Sequence, residues 1–230
     1  MLLPNPMFDP QNLQIVVTAD GSHSLRLPDM DESYHSTHGA LAESRHVFIK
    51  NGLQAWLAVN RQAREVHILE YGFGTGLNAL LTCLLDTPVS LVYHSLENHP
   101  LPASLTARLN YGTLLHAEET FQRLHAAPWN SEVEIRPGFT LHKIRCDFID
   151  YRHTGPCQVI YFDAFAPGKQ PEVWQTDILQ HCHDVLSKGG VWVSYSARGQ
   201  LKRDLAAAGF EVETLVGPPG KKEMTRGWKR

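Results

Sequence analysis

The chain has 230 residues, 43% of them hydrophobic and 20% charged, which is long enough for one α/β domain with a full core and too short for two large ones. Its net charge of −3 excludes a surface that is basic throughout, although from Arg198 onward eight basic residues face four acidic ones, a local +4 that leaves −7 on the rest. Cys83, Cys146, Cys157 and Cys182 never approach CxxC spacing, Met1–Pro6 resembles no leader, and no apolar run approaches bilayer length, so we expect a soluble cytoplasmic protein with reduced thiols and no zinc site.

In chain order, Gln14 to Thr18 and His23 to Leu27 flank Ala19-Asp20-Gly21-Ser22, a β-hairpin signal. Leu41, Ser44, Val47 and Phe48 stand at helical spacing between Ala40 and Lys50, and Asn51-Gly52 is expected to end that helix before a second one from Leu53 to Arg61. Residues 1–62 thus read as a hairpin and helical extension packed on a core of residues 63–230.

The core opens with Val66 to Leu69 as a buried strand, Glu70-Tyr71-Gly72-Phe73-Gly74-Thr75-Gly76 as a turn, and Leu77 to Leu85 as an apolar helix. Alternate glycines leave no Cβ between backbone and ligand, and the first helical N–H groups face the same space, so this is a nucleotide-binding corner. Its spacing does not match the dinucleotide fingerprint Gly-x-Gly-x-x-Gly. Ser90 to Leu96 form a second strand ending in Glu97, where a carboxylate accepts both hydroxyls of a ribose. An NAD enzyme would also place an acid there. Acid, alternate glycines and a second acid together resemble the S-adenosylmethionine site of class I methyltransferases.

Helices are expected over Leu101 to Asn110 and Leu114 to His125, and a strand pair over Glu132 to Ile135 and Leu141 to Arg145. Asp147, with Phe148, then stands where the resemblance puts the adenine ring; a turn cap is the equal alternative for Asp147. Gln158 to Phe162 read as a central strand buried on both faces, ending at Asp163-Ala164-Phe165. Ligands in open α/β sheets lie beyond the carboxyl ends of strands, so Asp163 and Phe165 should face the pocket, a carboxylate for an amine beside a ring for a planar base. A helix from Val173 to Leu186 follows. It holds His181-Cys182-His183, but residues two apart point to different faces and no metal is expected. Lys188-Gly189-Gly190 should end it. Val191 to Tyr195 form a strand and Arg198 to Ala208 a helix. Phe210 to Val216 and Glu223 to Trp228 then close the sheet as an antiparallel pair, where a dinucleotide fold would continue βαβ.

Four ordered blocks resemble the MnmD family, which is similar to the amino-terminal half of bifunctional MnmC enzymes. They are Tyr34-His35-Ser36-Thr37-His38-Gly39-Ala40 with Glu43-Ser44, the glycine corner through Asn78, Asp163 through Trp174, and Ser194-Tyr195-Ser196 with Lys221-Lys222-Glu223-Met224. The resemblance implies a class I methyltransferase fold, a mostly parallel sheet with a terminal antiparallel strand. It further implies S-adenosyl-L-methionine as cofactor and N-methylation of 5-aminomethyl-(2-thio)uridine at the tRNA wobble position. By position, Glu70, Gly72, Gly74, Gly76, Asn78, Glu97, Asp147, Phe148 and Asp163 inherit donor binding. Asp163 would steer the amine, with Glu43 an option for its proton. Tyr34, Phe165, Lys169 and Tyr195 would meet the substrate, and Arg203, Lys221 and Lys222 its phosphates.

The FAD-dependent oxidoreductase half of the bifunctional enzymes is absent, so the chain is not expected to remove a carboxymethyl group itself. Partners implied are tRNA and a separate FAD-dependent oxidoreductase or the upstream wobble-uridine enzymes, without a membrane. Alternatives are a class I amine transferase acting on a small molecule, by N-methyl or aminopropyl transfer, an NAD-dependent oxidoreductase, and a non-enzymatic RNA-binding partner.

Overall fold

The structure, a computed structural model, describes residues 12–153 and 155–230, so the reading of Met1–Pro6 falls outside it. The amino-terminal strands β1 (Gln14–Val17), β2 (His23–Leu27) and β3 (Glu32–Ser33) form a small antiparallel sheet, turned at Gly21 with φ 81°. The turn also caps the next helix, α1 (Ala40–Ser44). Thr18 Oγ1 accepts the Ala40 N–H at 3.3 Å, Ser22 Oγ that of Leu41 at 3.3 Å, and Asp20 Oδ2 that of Ala42 at 2.9 Å. Three of the four N–H groups that open a helix are thereby satisfied from outside it.

That helix does not stop at Asn51-Gly52 as the sequence suggested. It runs on as a π-helical stretch, Arg45–Gln54, into α2 (Ala55–Val59). Gly52 is a packing residue rather than a terminator, because a Cβ there would lie 3.0 Å from both the Tyr161 and Val193 side chains. The helix therefore presses close on the sheet.

The main sheet contains β4 (Glu65–Tyr71), β5 (Ser90–Glu97), β6 (Ser131–Arg136), β7 (Phe139–Arg145), β8 (Cys157–Phe162), β9 (Leu186–Ser194), β10 (Glu211–Val216) and β11 (Glu223–Trp228). Its order is β10-β11-β9-β8-β4-β5-β7-β6, with β7, β5, β4, β8 and β9 parallel and the flanking pairs antiparallel. This is the expected class I architecture, closed by β10 and β11 as foreseen. Strand order reverses beside β4, since β5 lies on one side and β8 on the other, and the crevice this opens at the carboxyl ends of these strands is where an α/β sheet binds ligands.

Helices cover both faces of the sheet. The helix from Ala40, together with α3 (Leu77–Cys83) and α6 (Glu118–Ala126), packs over Ile68, Tyr93, Phe139 and Tyr161. On the other face α7 (Thr176–Val185) and α8 (Gly199–Ala207) cover Tyr71, Phe162 and Trp192.

Three further boundaries differ from expectation. The helix read over Leu101 to Asn110 is a single turn, α4 (Ala103–Thr106), preceded by Pro102. Leu114 to His125 is split into α5 (Tyr111–Leu114) and α6, because His116 takes φ 52° and Gly112 abuts the Glu118 backbone, leaving no room for a Cβ. Lys188-Gly189-Gly190 lies within β9, not after a helix. α7 ends at Val185, and the register against β8 slips between the pairs Cys157↔Leu186 and Val159↔Val191, accommodated by Gly189 at φ 77°.

Candidate active site

A cleft of about 940 Å³ opens at the carboxyl ends of β4, β5 and β8 and is roofed by the segment from Met30 to His38 and by the β10–β11 connection. Its floor is the glycine corner, suspended between neighbouring strands. The Gly72 and Phe73 N–H groups donate to Leu96 O at 3.1 and 2.9 Å, and the Asp163 N–H donates to Tyr71 O at 3.0 Å. Gly72, Gly74 and Gly76 all take positive φ, at 99°, 48° and 76°. A Cβ at Gly72 would stand 3.0 Å from the Asp163 carbonyl oxygen, and one at Gly74 would stand 3.1 Å from the Tyr34 ring. Only glycine leaves this floor bare.

Two carboxylates face each other across that floor. Glu97 accepts the Gly74 N–H at 2.9 Å on one oxygen and the His99 N–H at 2.8 Å on the other, so its position is fixed. Burial raises its pKa against these opposing hydrogen bonds. Asp163 accepts a hydrogen bond from Asn78 Nδ2 at 2.8 Å. Burial first, then the nearby Glu43 and Glu70, push the Asp163 carboxyl well above the ordinary range.

The far wall joins Glu43, Lys221 and Tyr195. Lys221 Nζ donates to Glu43 Oε1 at 2.6 Å and stands 3.9 Å from the Tyr195 ring centroid. Phe165 meets Tyr34 edge to face at 5.1 Å, and Lys169 Nζ donates to Met30 O at 2.5 Å, tying the loop after β8 to the amino-terminal segment.

Of the residues singled out in the sequence, Glu43, Gly72, Gly74, Asn78, Glu97, Phe148, Asp163, Tyr34, Phe165, Lys169, Tyr195 and Lys221 line the cleft together. Five stand elsewhere. Glu70 is buried beneath the floor, accepting from Ser95 Oγ at 2.5 Å, and burial raises its pKa to about 8. Gly76 lies on the underside of the corner against His125. Asp147 accepts from Asn98 Nδ2 at 3.3 Å and from the Ile149 N–H at 3.1 Å, the geometry of a turn cap. Arg203 and Lys222 are exposed outside the cleft.

Two groups of side chains beside the cleft had escaped notice. His35 is buried, its Nε2 2.7 Å from Thr75 Oγ1 on the glycine corner, and burial lowers its pKa to about 4. The other group lies underneath. His125 is also held near 4 by burial, so it is neutral, and with Thr75 O as a carbonyl acceptor 3.1 Å away, Nε2 carries the proton. The buried Lys143 donates to His125 O at 2.8 Å, with its ammonium 5.2 Å from the Phe73 ring centroid and 4.8 Å from that of Trp129. Both groups grip the corner from residues far apart in sequence; only the Tyr34–Ala40 block hinted at the first.

A bare glycine floor, a fixed acid at the end of the second strand and an acid at the end of the fourth parallel strand define the site. The sequence profile of a family described as S-adenosyl-L-methionine-dependent methyltransferases matches residues 119–230. Residues 119–230 thus carry the signature of this methyltransferase family. A crystal structure of MNMC2 from Aquifex aeolicus matches the methyltransferase fold with a TM-score of 0.80 at 24% identity, over 98% of this chain and 72% of that one. Spermidine synthase from Thermotoga maritima shares the fold more distantly, at a TM-score of 0.55 and 13% identity over 90% of this chain and 67% of that one.

Among curated sequences, the tRNA 5-methylaminomethyl-2-thiouridine biosynthesis bifunctional protein MnmC of Ralstonia nicotianae is 30% identical over 85% of this chain and 31% of its own length. That of Aromatoleum aromaticum is 33% identical over 86% and 32%. The chain thus spans about a third of the length of these relatives. Among the described residues no helix is long and apolar enough to cross a membrane.

Proposed function

We propose that this methyltransferase moves the methyl group of S-adenosyl-L-methionine to the aminomethyl nitrogen of 5-aminomethyl-(2-thio)uridine at the wobble position of tRNA. The observation that carries the reading is the placement of Asp163. A carboxylate with raised proton affinity, fixed by Asn78, lines the same cleft as the donor floor and the Phe165 ring. The MnmC relatives are named for the biosynthesis of tRNA 5-methylaminomethyl-2-thiouridine, the nucleoside such a transfer would complete.

The residues present fit the donor. The glycine floor at Gly72 and Gly74 lines the cleft, and Glu97, fixed by two backbone N–H groups, would present its carboxylate to ribose hydroxyls. Phe148 lines the same end as Glu97 and supplies an apolar wall for the adenine. The bound sulfonium would supply an activated methyl group with a good leaving group already in place.

The protein's task is then to deliver a neutral amine in line with that methyl. A primary alkylammonium has no lone pair, so a proton must first pass from its nitrogen to a carboxylate oxygen of Asp163. Asn78 keeps Asp163 in place for that transfer, and Phe165 offers the pyrimidine a ring face to pack on. Fixing nucleophile and methyl at contact distance supplies most of the acceleration, as effective molarities of about 10⁵ M or more indicate for well-oriented pairs. Arg203 and Lys222, both exposed outside the cleft, would meet tRNA phosphates. A separate FAD-dependent oxidoreductase, or enzymes acting earlier on the wobble uridine, would supply the aminomethyl group.

The test is nucleoside mass spectrometry of tRNA bearing 5-aminomethyl-2-thiouridine after incubation with the protein and donor. Conversion to the methylaminomethyl nucleoside is expected. Asp163→Asn should lower the rate by about a hundredfold or more while leaving the thermal transition in place. Unmodified tRNA with wild-type protein, or full turnover by Asp163→Asn, would refute the reading or the role of Asp163 respectively.

A further inference from the structure

A reaction on an alkylamine needs a place that receives the substrate's ammonium before the proton leaves, and one lysine of the cleft already sits in such a place. Lys221 Nζ donates to Glu43 Oε1 at 2.6 Å and sits 3.9 Å from the centroid of the Tyr195 ring. A carboxylate on one side and an aromatic face on the other is the environment a desolvated ammonium requires. Both walls are built independently of the lysine. Glu43 is only 5% exposed and its second oxygen accepts the Ser36 N–H at 2.8 Å, while the Tyr195 hydroxyl donates to Ala164 O at 2.9 Å.

The lysine itself comes from the connection between β10 and β11, a turn in which Gly220 at φ 83° packs directly on the His38 ring. A phosphate-binding lysine would project outward, as its neighbour Lys222 does. Lys221 instead lines the cleft shared with Asp163.

We propose that Glu43 and Tyr195 form the subsite for the substrate's ammonium, and that Lys221 occupies it in the free protein as an internal competitor which the incoming aminomethyl group displaces. The inference rests on the function proposed above. Exchange of one primary ammonium for another keeps the charge beside Asp163 unchanged, so the pocket is never left with bare clustered carboxylates. Glu43 on this account orients the ammonium, and Asp163 takes its proton.

Two experiments test it. Lys221→Ala empties the subsite, and Lys221→Met removes the competing ammonium while keeping an apolar stem over Tyr195. The KM for aminomethyl-uridine tRNA should fall by roughly three- to tenfold in both, because the competent state no longer competes with a plugged one. Methylammonium chloride should inhibit both variants about tenfold more strongly than wild type, against sodium chloride at equal ionic strength. An unchanged KM, or a raised one with a shallower salt dependence, would overturn the proposal in favour of a phosphate contact.

The second experiment uses wild type and so does not depend on the variants folding. Acetylation of Lys221 by acetic anhydride, read by peptide mass spectrometry, should rise several-fold when the aminomethyl-uridine nucleoside and S-adenosylhomocysteine are added. The nucleoside has no phosphate to shield the lysine, so unchanged or lower labelling would overturn the proposal. If wild type methylates no aminomethyl-uridine RNA, the proposed function fails; if it does and Lys221 behaves otherwise, only the subsite fails.

Discussion

Glu70 illustrates how one residue serves the site without touching its space. It closes β4 just ahead of the glycines, is 1% exposed, and has one oxygen bonded to Ser95 while the other finds no partner among the described residues. Burial favours the neutral acid and lifts the pKa from 4.5 to about 8. The folded protein therefore holds a proton that the unfolded chain has released between those two values. The sign follows: this contribution is fully present below about 4.5, declines as pH rises through the window, and is gone above about 8. Glu70→Gln should abolish a stability loss of about 1.4 kcal/mol per pH unit across that range. Denaturant titrations of both proteins at intervals from pH 5 to pH 8 would measure it, and parallel pH profiles would show that Glu70 is ionised in the fold. At this scale the sequence was most legible where one residue type is demanded by geometry. Gly72 and Gly74 need positive φ and a missing Cβ, and Glu97 and Asp163 stand at strand ends. His35, His125 and Lys143 carried no such signal, because their significance comes from partners 40, 50 and 18 residues away.

Among the elements, α6 and β7 form a shelf under the glycine corner. His125 of α6 donates to Thr75 O and its ring leaves no room for a Cβ at Gly76, while Lys143 of β7 fixes the His125 carbonyl and the Phe73 ring. Burying that ammonium with no acidic partner among the described residues is costly, and desolvation lowers its pKa to about 8. A residue retained at such a cost is expected to act on the corner rather than on stability. Lys143→Met keeps the buried stem and removes the charge. We predict an unchanged or higher Tm together with a loss of donor affinity of about fivefold, read by scanning calorimetry and donor titration on the same samples. Equal donor affinity would remove the shelf from the function.

Elements with continuous apolar runs, such as β8, or with strong turn pairs, such as the Asp20-Gly21 hairpin, were legible in the sequence. The helix through Asn51-Gly52 was not. Local propensity there points to a stop, and only the close approach of Gly52 to Tyr161 and Val193 explains why the chain stays helical.

For the molecule as a whole, the sheet order puts chemistry from distant parts of the chain into one crevice. β4 and β5 supply the donor floor and Glu97, β8 supplies Asp163, and the amino-terminal segment and the β10–β11 connection close the roof. The class I architecture was foreseen from the family resemblance, and its closing strand pair from two extended runs at the end of the chain. The roof was not, since no periodicity tells which loop will fold back over a cleft. The proposed methyl transfer requires that cleft to take the methyl donor, and titration calorimetry with S-adenosyl-L-methionine or S-adenosylhomocysteine tests it most directly. The wild-type protein should bind with measurable heat at one site, and Glu97→Gln should bind about ten- to hundredfold more weakly, as expected when a charged acceptor for two hydroxyls is lost. Absence of wild-type heat, or equal binding by Glu97→Gln, would contradict it.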